Sequence, residues 1–156
     1  VKMEKMLVRG VARDNNVARI SIIGVEDRPG VAFKIFSKLA QKRINVDIIL
    51  QSVGRDGTKD ILFTVTRDQS DEAMELLNEM SKTIGAQSIA CDQNVSKVSL
   101  VGAGMESHPG VAAKMFEALY NINIQMISTS EIKISCLIAL SDSDQAVQMV
   151  HDAFFK

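Results

Sequence analysis

Asp27-Arg28-Pro29-Gly30-Val31-Ala32 and, further along, His108-Pro109-Gly110-Val111-Ala112 are the two stretches on which the reading of this chain turns. Each stands at the centre of a longer repeat, Ile20 to Ser52 in the first copy and Val98 to Ser130 in the second. Around each Pro-Gly the order is the same: a β-branched strand, a polar turn, an amphipathic helix, a short polar entry and a second strand. Val111, Ala112, Met115, Phe116, Leu119 and Tyr120 each stand 80 positions after Val31, Ala32, Ile35, Phe36, Leu39 and Ala40, while the flanking strands align at an offset of 78. The chain therefore reads as two units of one architecture.

With 156 residues, the repeat allots roughly 70 to each unit, a size that buries only about 60% of its unfolded surface and is marginal alone. Lys plus Arg (18) nearly balance Asp plus Glu (19) with no basic block, which argues against a nucleic-acid partner held through phosphates. No apolar run approaches the ~18 residues of a membrane span, and the first residues lack a signal peptide's apolar centre; a cytoplasmic protein with no membrane partner is the expectation. Cys91 and Cys136 fit no metal or redox spacing and read as core residues.

In chain order, Lys5 to Ala12 reads as a strand with no partner in the first repeat, followed by a turn at Asp14-Asn15-Asn16. Val17 to Gly24 is a strand with Ile20 and Ile22 on one face. Pro29 suits a helix start, where the first N–H groups are unpaired anyway, and Val31, Ala32, Ile35, Phe36, Leu39 and Ala40 form one apolar stripe. Val46 to Val53 and Asp60 to Thr66 are strands joined through a Gly54-Arg55-Asp56-Gly57 hairpin turn. Ser70 is a capping residue, with Asp71 and Glu72 in the first turn of a helix that Gly85 ends, and Ala86 to Cys91 closes the sheet. This β-α-β-β-α-β order is the ferredoxin-like plan: α+β, an antiparallel sheet with helices on one face. The second unit repeats it from Val98 to a helix over Ser143 to Phe155 and then lacks its closing strand. The N-terminal strand is the economical replacement, giving a first domain at 17–93 and a second made of 1–16 plus 94–156.

The open N–H groups and positive end of the helix at Gly30 favour an anion. The plan is expected to bring Asn45, Asp47 and Gln51 towards Asp27 and Gly30. A carboxylate at the helix end and an ammonium on Asp27 or Asp47 match the two ends of a free α-amino acid, with Gln51 reading its side chain. No nucleophile turn, phosphate loop or metal-ligand cluster appears, so no catalytic residue, metal or cofactor is assigned. Gly102-Ala103-Gly104 lacks the third glycine of a dinucleotide fingerprint, position 107 being Ser, and reads as a close-packed turn; His108 reads as a turn residue.

Val-Ser-Leu-Val-Gly-Ala-Gly-Met (98–105), His-Pro-Gly-Val-Ala-Ala (108–113), Asn-Ile (123–124) and Ser-Thr-Ser-Glu-Ile-Lys-Ile-Ser (128–135) closely resemble the C-terminal regulatory region of aspartokinases. Asp-Arg-Pro-Gly, Asn-Val-Asp (45–47) and Leu-Gln-Ser (50–52) resemble the first of that region's paired ACT domains. The resemblance implies two ACT domains completed by the N-terminal strand and feedback control of aspartate phosphorylation. It also implies a homodimer through ACT domains and a partnership with the aspartokinase catalytic domain or subunit. The chain is then no enzyme by itself, and is either a truncated chain or a separately translated small subunit. Threonine and/or lysine would be the effector, at positions matching Asp27, Gly30, Val31, Ala32, Asn45, Val46, Asp47 and Gln51, together with Val111, Ala112, Asn123, Ile124 and Thr129. Gln51 can satisfy a hydroxyl, whereas a lysine side chain would need a further carboxylate, which favours threonine. Ser107 replaces Asp27 and Gln125 replaces Asp47 in the second copy, so the resemblance implies one main site in the first unit, with the second contributing across an interface.

Two rivals come from other classes. An RNA-binding fold of the same plan stacks bases on aromatic residues of its central strands, where this chain offers only Phe63 on the expected core face. A structural dimerisation module without ligand shares the fold and the sheet edges.

Overall fold

Alternation decides which way the first sheet faces. In strand β2 (Ala18–Glu26), Ala18, Ile20 and Ile22 are buried while Arg19, Ser21 and Ile23 between them are only half-buried. The structure, a computed structural model, describes residues 8–156. Strand β4 (Thr58–Val65) lies antiparallel to β2, with Phe63 opposite Ile20 and Ile61 opposite Ile22, so the apolar face continues across both strands. Strands β3 (Val46–Gln51) and β5 (Ser88–Asp92) form the edges, in the order β3-β4-β2-β5.

Two helices cover that apolar face. Val31, Ile35 and Leu39 of α1 (Val31–Gln41) and Ala73, Leu77 and Ile84 of α2 (Ser70–Ile84) join Ile20, Ile22, Ile61 and Phe63 in one buried cluster. Each such side chain contributes about 1.5–3 kcal/mol relative to exposure. Phe36 meets Phe63 edge-on, ring centres 5.3 Å apart, adding the geometry aromatic pairs prefer. The stripe on α1 is narrower than its periodicity implies, because Ala40 is exposed.

The start of α2 also departs from the sequence reading. A 3-10 turn over Arg67–Gln69 precedes it, so Ser70 is already helical and its hydroxyl donates backward to the Arg67 carbonyl (2.7 Å) instead of capping. The hydroxyl is thereby satisfied locally, the usual competitor of a cap for short polar side chains. Gly85 ends the helix at φ 70 as its sequence position implies.

The second unit repeats the arrangement with strands β6 (Val95–Gly102), β7 (Ile124–Thr129) and β8 (Lys133–Ala139) and helices α3 (Pro109–Ala118) and α4 (Ser143–Phe155). Its outer strand is β1 (Val8–Asp14), antiparallel to β6, and the sheet order is β1-β6-β8-β7. Residues 5–7 of the expected N-terminal strand lie outside the described residues, and β1 runs on to Asp14 rather than stopping at Ala12. Val8 is buried in one cluster with Leu100, Met115, Ile134 and Val150. Beyond packing, polar ties hold β1: Arg13 pairs with Asp144 at the start of α4, and the Ser96 hydroxyl donates to Asn15 Oδ1 (2.6 Å) and lies 3.2 Å from the Ser143 hydroxyl. By its contacts the chain divides into one compact unit at Asn16–Gln93 and another of Val1–Asn15 with Asn94–Lys156. Among the described residues no helix is long and apolar enough to cross a membrane.

Candidate functional site

The Pro-Gly pair does different work in the two copies. In the first, Gly30 stands outside α1 in the left-handed region (φ 87), and the helix has neither a capping side chain nor an acidic residue in its first turn. A Cβ at Gly30 would meet nothing within 4 Å, so conformation rather than crowding demands glycine there. In the second, His108 precedes the helix, Pro109 is its first residue, Gly110 is helical, and the Val111 N–H is bonded to the His108 carbonyl (3.0 Å). The shared helix start expected from sequence is therefore not shared; the second copy begins its helix two residues earlier in the repeat. His108 itself is tied through Nδ1 to the Gly104 carbonyl (2.7 Å), a turn-stabilising contact.

Asp27 fastens the first-copy loop to the β3–β4 hairpin. Its N–H donates to the Gly57 carbonyl (2.8 Å), its Oδ1 lies 3.4 Å from Lys59 Nζ, and its Oδ2 sits where a Cβ on Gly54 would fall, 1.8 Å away. Arg28 fastens the other side, its guanidinium donating to Glu26 Oε2 (2.8 Å) and to the Thr83 carbonyl (2.9 Å) in the last turn of α2. Such a carbonyl at a helix C-terminus lacks an intrahelical partner and welcomes a cation.

The register separates the residues that sequence reasoning gathers. Val46 faces Val65, which faces Ala18 at the start of β2; Gln51 faces Ile61, next to the hairpin that meets Asp27 at the far end. At about 3.3 Å per residue of strand, Asn45, Val46 and Asp47 lie roughly 20, 16 and 13 Å from Gln51, and so away from Asp27 and Gly30. The expected convergence of Asn45 and Asp47 on Asp27 within one unit is corrected accordingly: β3 crosses the sheet, and its start belongs to the opposite end. Gln51 alone of these strand residues shares the end of the sheet where Asp27 lies. Val31 is fully buried, whereas Ala32 and Val46 are half-buried and Asn45, Asp47 and Gln51 are exposed. In the second unit Val111 is buried, Ala112 and Ile124 are half-buried, and Asn123 and Thr129 are exposed. Thr129, opposite Ile134, and Ile124, opposite Ile138, again mark opposite strand ends.

Asp47 occupies a β-bulge. Asp47 and Ile48 together oppose Thr64, whose buried hydroxyl accepts the Ile48 N–H (3.0 Å). The same bulge recurs at Gln125 and Met126 opposite Leu137. A bulge re-aims the side chain it carries. The entry to β3 is fixed by Gln69, whose Oε1 accepts the Asn45 N–H (3.0 Å) and whose Nε2 donates to the Arg43 carbonyl (3.0 Å).

Sequence reasoning placed the hairpin turn at Gly54-Arg55-Asp56-Gly57 but gave its arm no part in the site. Nine residues lie between the paired Gln51 and Ile61, but four between their counterparts Thr129 and Ile134, so the first copy carries an extension the second lacks. Asp56 and Gly57, both at positive φ (55 and 79), close the arm as a two-residue turn between Arg55 and Thr58. Ser52, Val53, Arg55, Asp56, Thr58, Lys59, Asp60 and Gln87 line a cleft of about 630 Å³ along it. The arm's base is tight: the Asp60 carboxylate accepts the Gly24 N–H (3.0 Å), and its own N–H goes to the Ser52 hydroxyl (2.9 Å). The difference in hairpin length between the copies was the signal available in the sequence. The cysteines stand apart from this region: burial pushes the Cys136 thiol up to about 12 and also raises Cys91.

Comparison with known proteins places both units. Residues 18–81 and 98–154 each match an ACT domain model. An aspartokinase of Helicobacter pylori is 50% identical over 155 residues, 98% of this chain, and the chain spans 38% of that relative's length. A chain in a crystal structure of aspartokinase alpha and beta subunits superimposes with a TM-score of 0.88 at 50% identity, covering 94% of this chain and 98% of that one. The ligand-free regulatory subunit of aspartate kinase from Thermus thermophilus gives 0.91 at 41% identity, covering 95% and 99%. The described residues form the two ACT domains, with no kinase fold among them. The chain belongs to the aspartokinase family, as its regulatory region of two ACT domains.

Proposed function

We propose that this chain is the amino-acid-sensing module of an aspartate kinase, binding threonine, lysine or both in the cytoplasm and transmitting feedback inhibition to a catalytic domain or subunit. The observation that carries the reading is the asymmetry of the repeat. Only the first copy combines an uncapped helix start behind a left-handed glycine with a carboxylate, Asp27, at the same end of the sheet. Charge for both ends of an α-amino acid is therefore concentrated in one unit.

The effector positions fall into a loop group, Asp27, Gly30, Val31, Ala32 and Gln51, and a strand group, Asn45, Val46 and Asp47, at opposite ends of β3. One ligand cannot span them within a unit. Strand β3 is a sheet edge with Ile49 and Leu50 exposed, a ready template for pairing with a second copy. Antiparallel self-pairing about Ile48 and Ile49 sets Val46 of one copy against Gln51 of the other, which reunites the two groups across a two-fold axis. Val111, Ala112, Asn123, Ile124 and Thr129 are assigned the lesser role of completing sites across an interface.

Thermal melts with threonine, lysine and both together test the reading. An effector at 100 times its dissociation constant adds about 2.7 kcal/mol to unfolding stability, a rise of several degrees. A melting temperature unmoved by either amino acid would leave the structural dimerisation module as the better description.

A further inference from the structure

We infer that the outer face of the α1–α2 helix pair is a docking surface for a second copy of this chain, distinct from the β3 edge. The inference stands on that face alone and does not need the amino-acid-sensing reading. Lys34, Lys38 and Lys42 recur every four residues along α1 and its C-terminal cap, and all are exposed. Glu72, Glu75 and Glu79 form an exposed acidic row along α2. The two rows flank one groove: Lys34 and Lys38 line a cleft of about 410 Å³ with Glu79, and Lys42 lines one of about 230 Å³ with the three glutamates. Among the described residues, none of these lysines and glutamates is in an ion pair. Between the rows Phe33 stands 74% exposed, in the same cleft as Leu76 and Met80.

An apolar strip between rows of unlike, unpaired charge is complementary to itself under one symmetry. Strands β2 and β4 are antiparallel, so α1 and α2, each returning over the same face of the sheet, are antiparallel too. A two-fold axis along the groove sets α1 of one copy over α2 of the other at the same height. Lys34 and Lys38 then face Glu79 of the second copy, Lys42 faces its Glu72 and Glu75, and each Phe33 enters the opposite groove. A two-fold axis across the groove would set lysine on lysine, so charge selects the first. The second unit lacks the device. With Val31 aligned to Val111 and Ser70 to Ser143, Ala113 and Ala118 stand for Phe33 and Lys38, and Gln145 and Gln148 for Glu72 and Glu75. The lysine that remains there, Lys114, lies over the Phe154 ring at 4.9 Å. Helices of 11 and 15 residues are roughly 16 and 22 Å long, which makes the face small for a specific interface and the association weak and salt-sensitive.

The test is native mass spectrometry of two charge-reversed forms of the full chain, Lys34→Glu with Lys38→Glu and Glu75→Lys with Glu79→Lys, mixed in equal amounts at low ionic strength. The substituted positions are exposed, and the melting curve of each variant checks its fold. Pairing through the β3 edge is untouched by these changes and combines the two forms at random. The expected result is a ratio of mixed to unmixed oligomers at least about fivefold above the statistical one, falling towards it when Phe33→Ala is added to both forms and when salt is raised to about 0.5 M. Statistical mixing of the folded variants, or an excess that Phe33→Ala leaves untouched, refutes the self-docking face. Statistical mixing together with lost binding to an aspartokinase catalytic subunit would assign the face to that partner instead.

Discussion

Two glycines at matching places in the repeat should answer the same substitution with opposite sign. Gly30 holds φ 87, where an L side chain is strained even with open space around its Cβ, so Gly30→Ala should cost about 1 kcal/mol. Gly110 lies in the first turn of α3 with no positive φ, where alanine restricts the unfolded chain and favours helix, and Gly110→Ala should stabilise by about 0.4–1 kcal/mol. Urea unfolding of the two variants decides it; equal effects of one sign would mean that the helix starts are alike after all. The contrast has a functional edge. In the first copy the helix follows a left-handed Gly30 with no capping side chain, whereas in the second copy the Val111 N–H is already bonded to the His108 carbonyl.

At the scale of the element, the bulge in β3 supplies the next expectation. Thr64 is buried, and its hydroxyl is the acceptor for Ile48 N–H, a donor that the two-against-one pairing leaves without a ladder partner. Thr64→Val preserves shape but orphans that N–H, and should destabilise the chain by about 1–3 kcal/mol in denaturant titration. A loss under 0.5 kcal/mol would show that the bulge finds another acceptor. This is also where the sequence became silent. Period-two alternation in Ile20, Ile22, Ile61 and Phe63, the stripe of Val31, Ile35 and Leu39, and the Asp56-Gly57 turn made the elements and their order legible, because each is a local preference repeated several times. Whether Asp47 sits at the near or far end of its strand, and that Asp27 is already engaged with Lys59 and Gly54, depend on register and on contacts across the hairpin, which no local pattern encodes. The Ser70 cap failed for a related reason: a hydroxyl beside a helix start has two backbone partners within reach, and sequence does not choose between them.

For the whole molecule the decisive feature is that the first ACT unit is inserted within the second, so that β1 and β6 pair across the entire intervening domain. Contacts of such high sequence separation carry a large loop-closure cost, and they persist because β1 contributes packing and polar ties together. Val8 is buried among Leu100, Met115 and Val150; Arg13 meets Asp144; Asn15 accepts the Ser96 hydroxyl. A domain of this size holds only about 4–12 kcal/mol in all. Removing the strand deletes a run of ladder hydrogen bonds, uncovers β6 along one side and leaves the Ser96 and Ser143 hydroxyls short of an acceptor at the start of α4. A chain beginning at Asn16, which loses Asn15 together with the strand, should therefore lose amide protection throughout β6, β8 and α4 in native-state hydrogen exchange, by more than a hundredfold. The amides of β2 and β4, whose pairing and core lie wholly within residues 16–93, should retain theirs to within about threefold. Full protection of the second sheet in that chain would mean that the N-terminal strand decorates the unit rather than completes it. If protection is lost and threonine or lysine still raises the stability of the surviving unit, the effector's main contacts lie in the first ACT domain, as the asymmetry of the repeat requires.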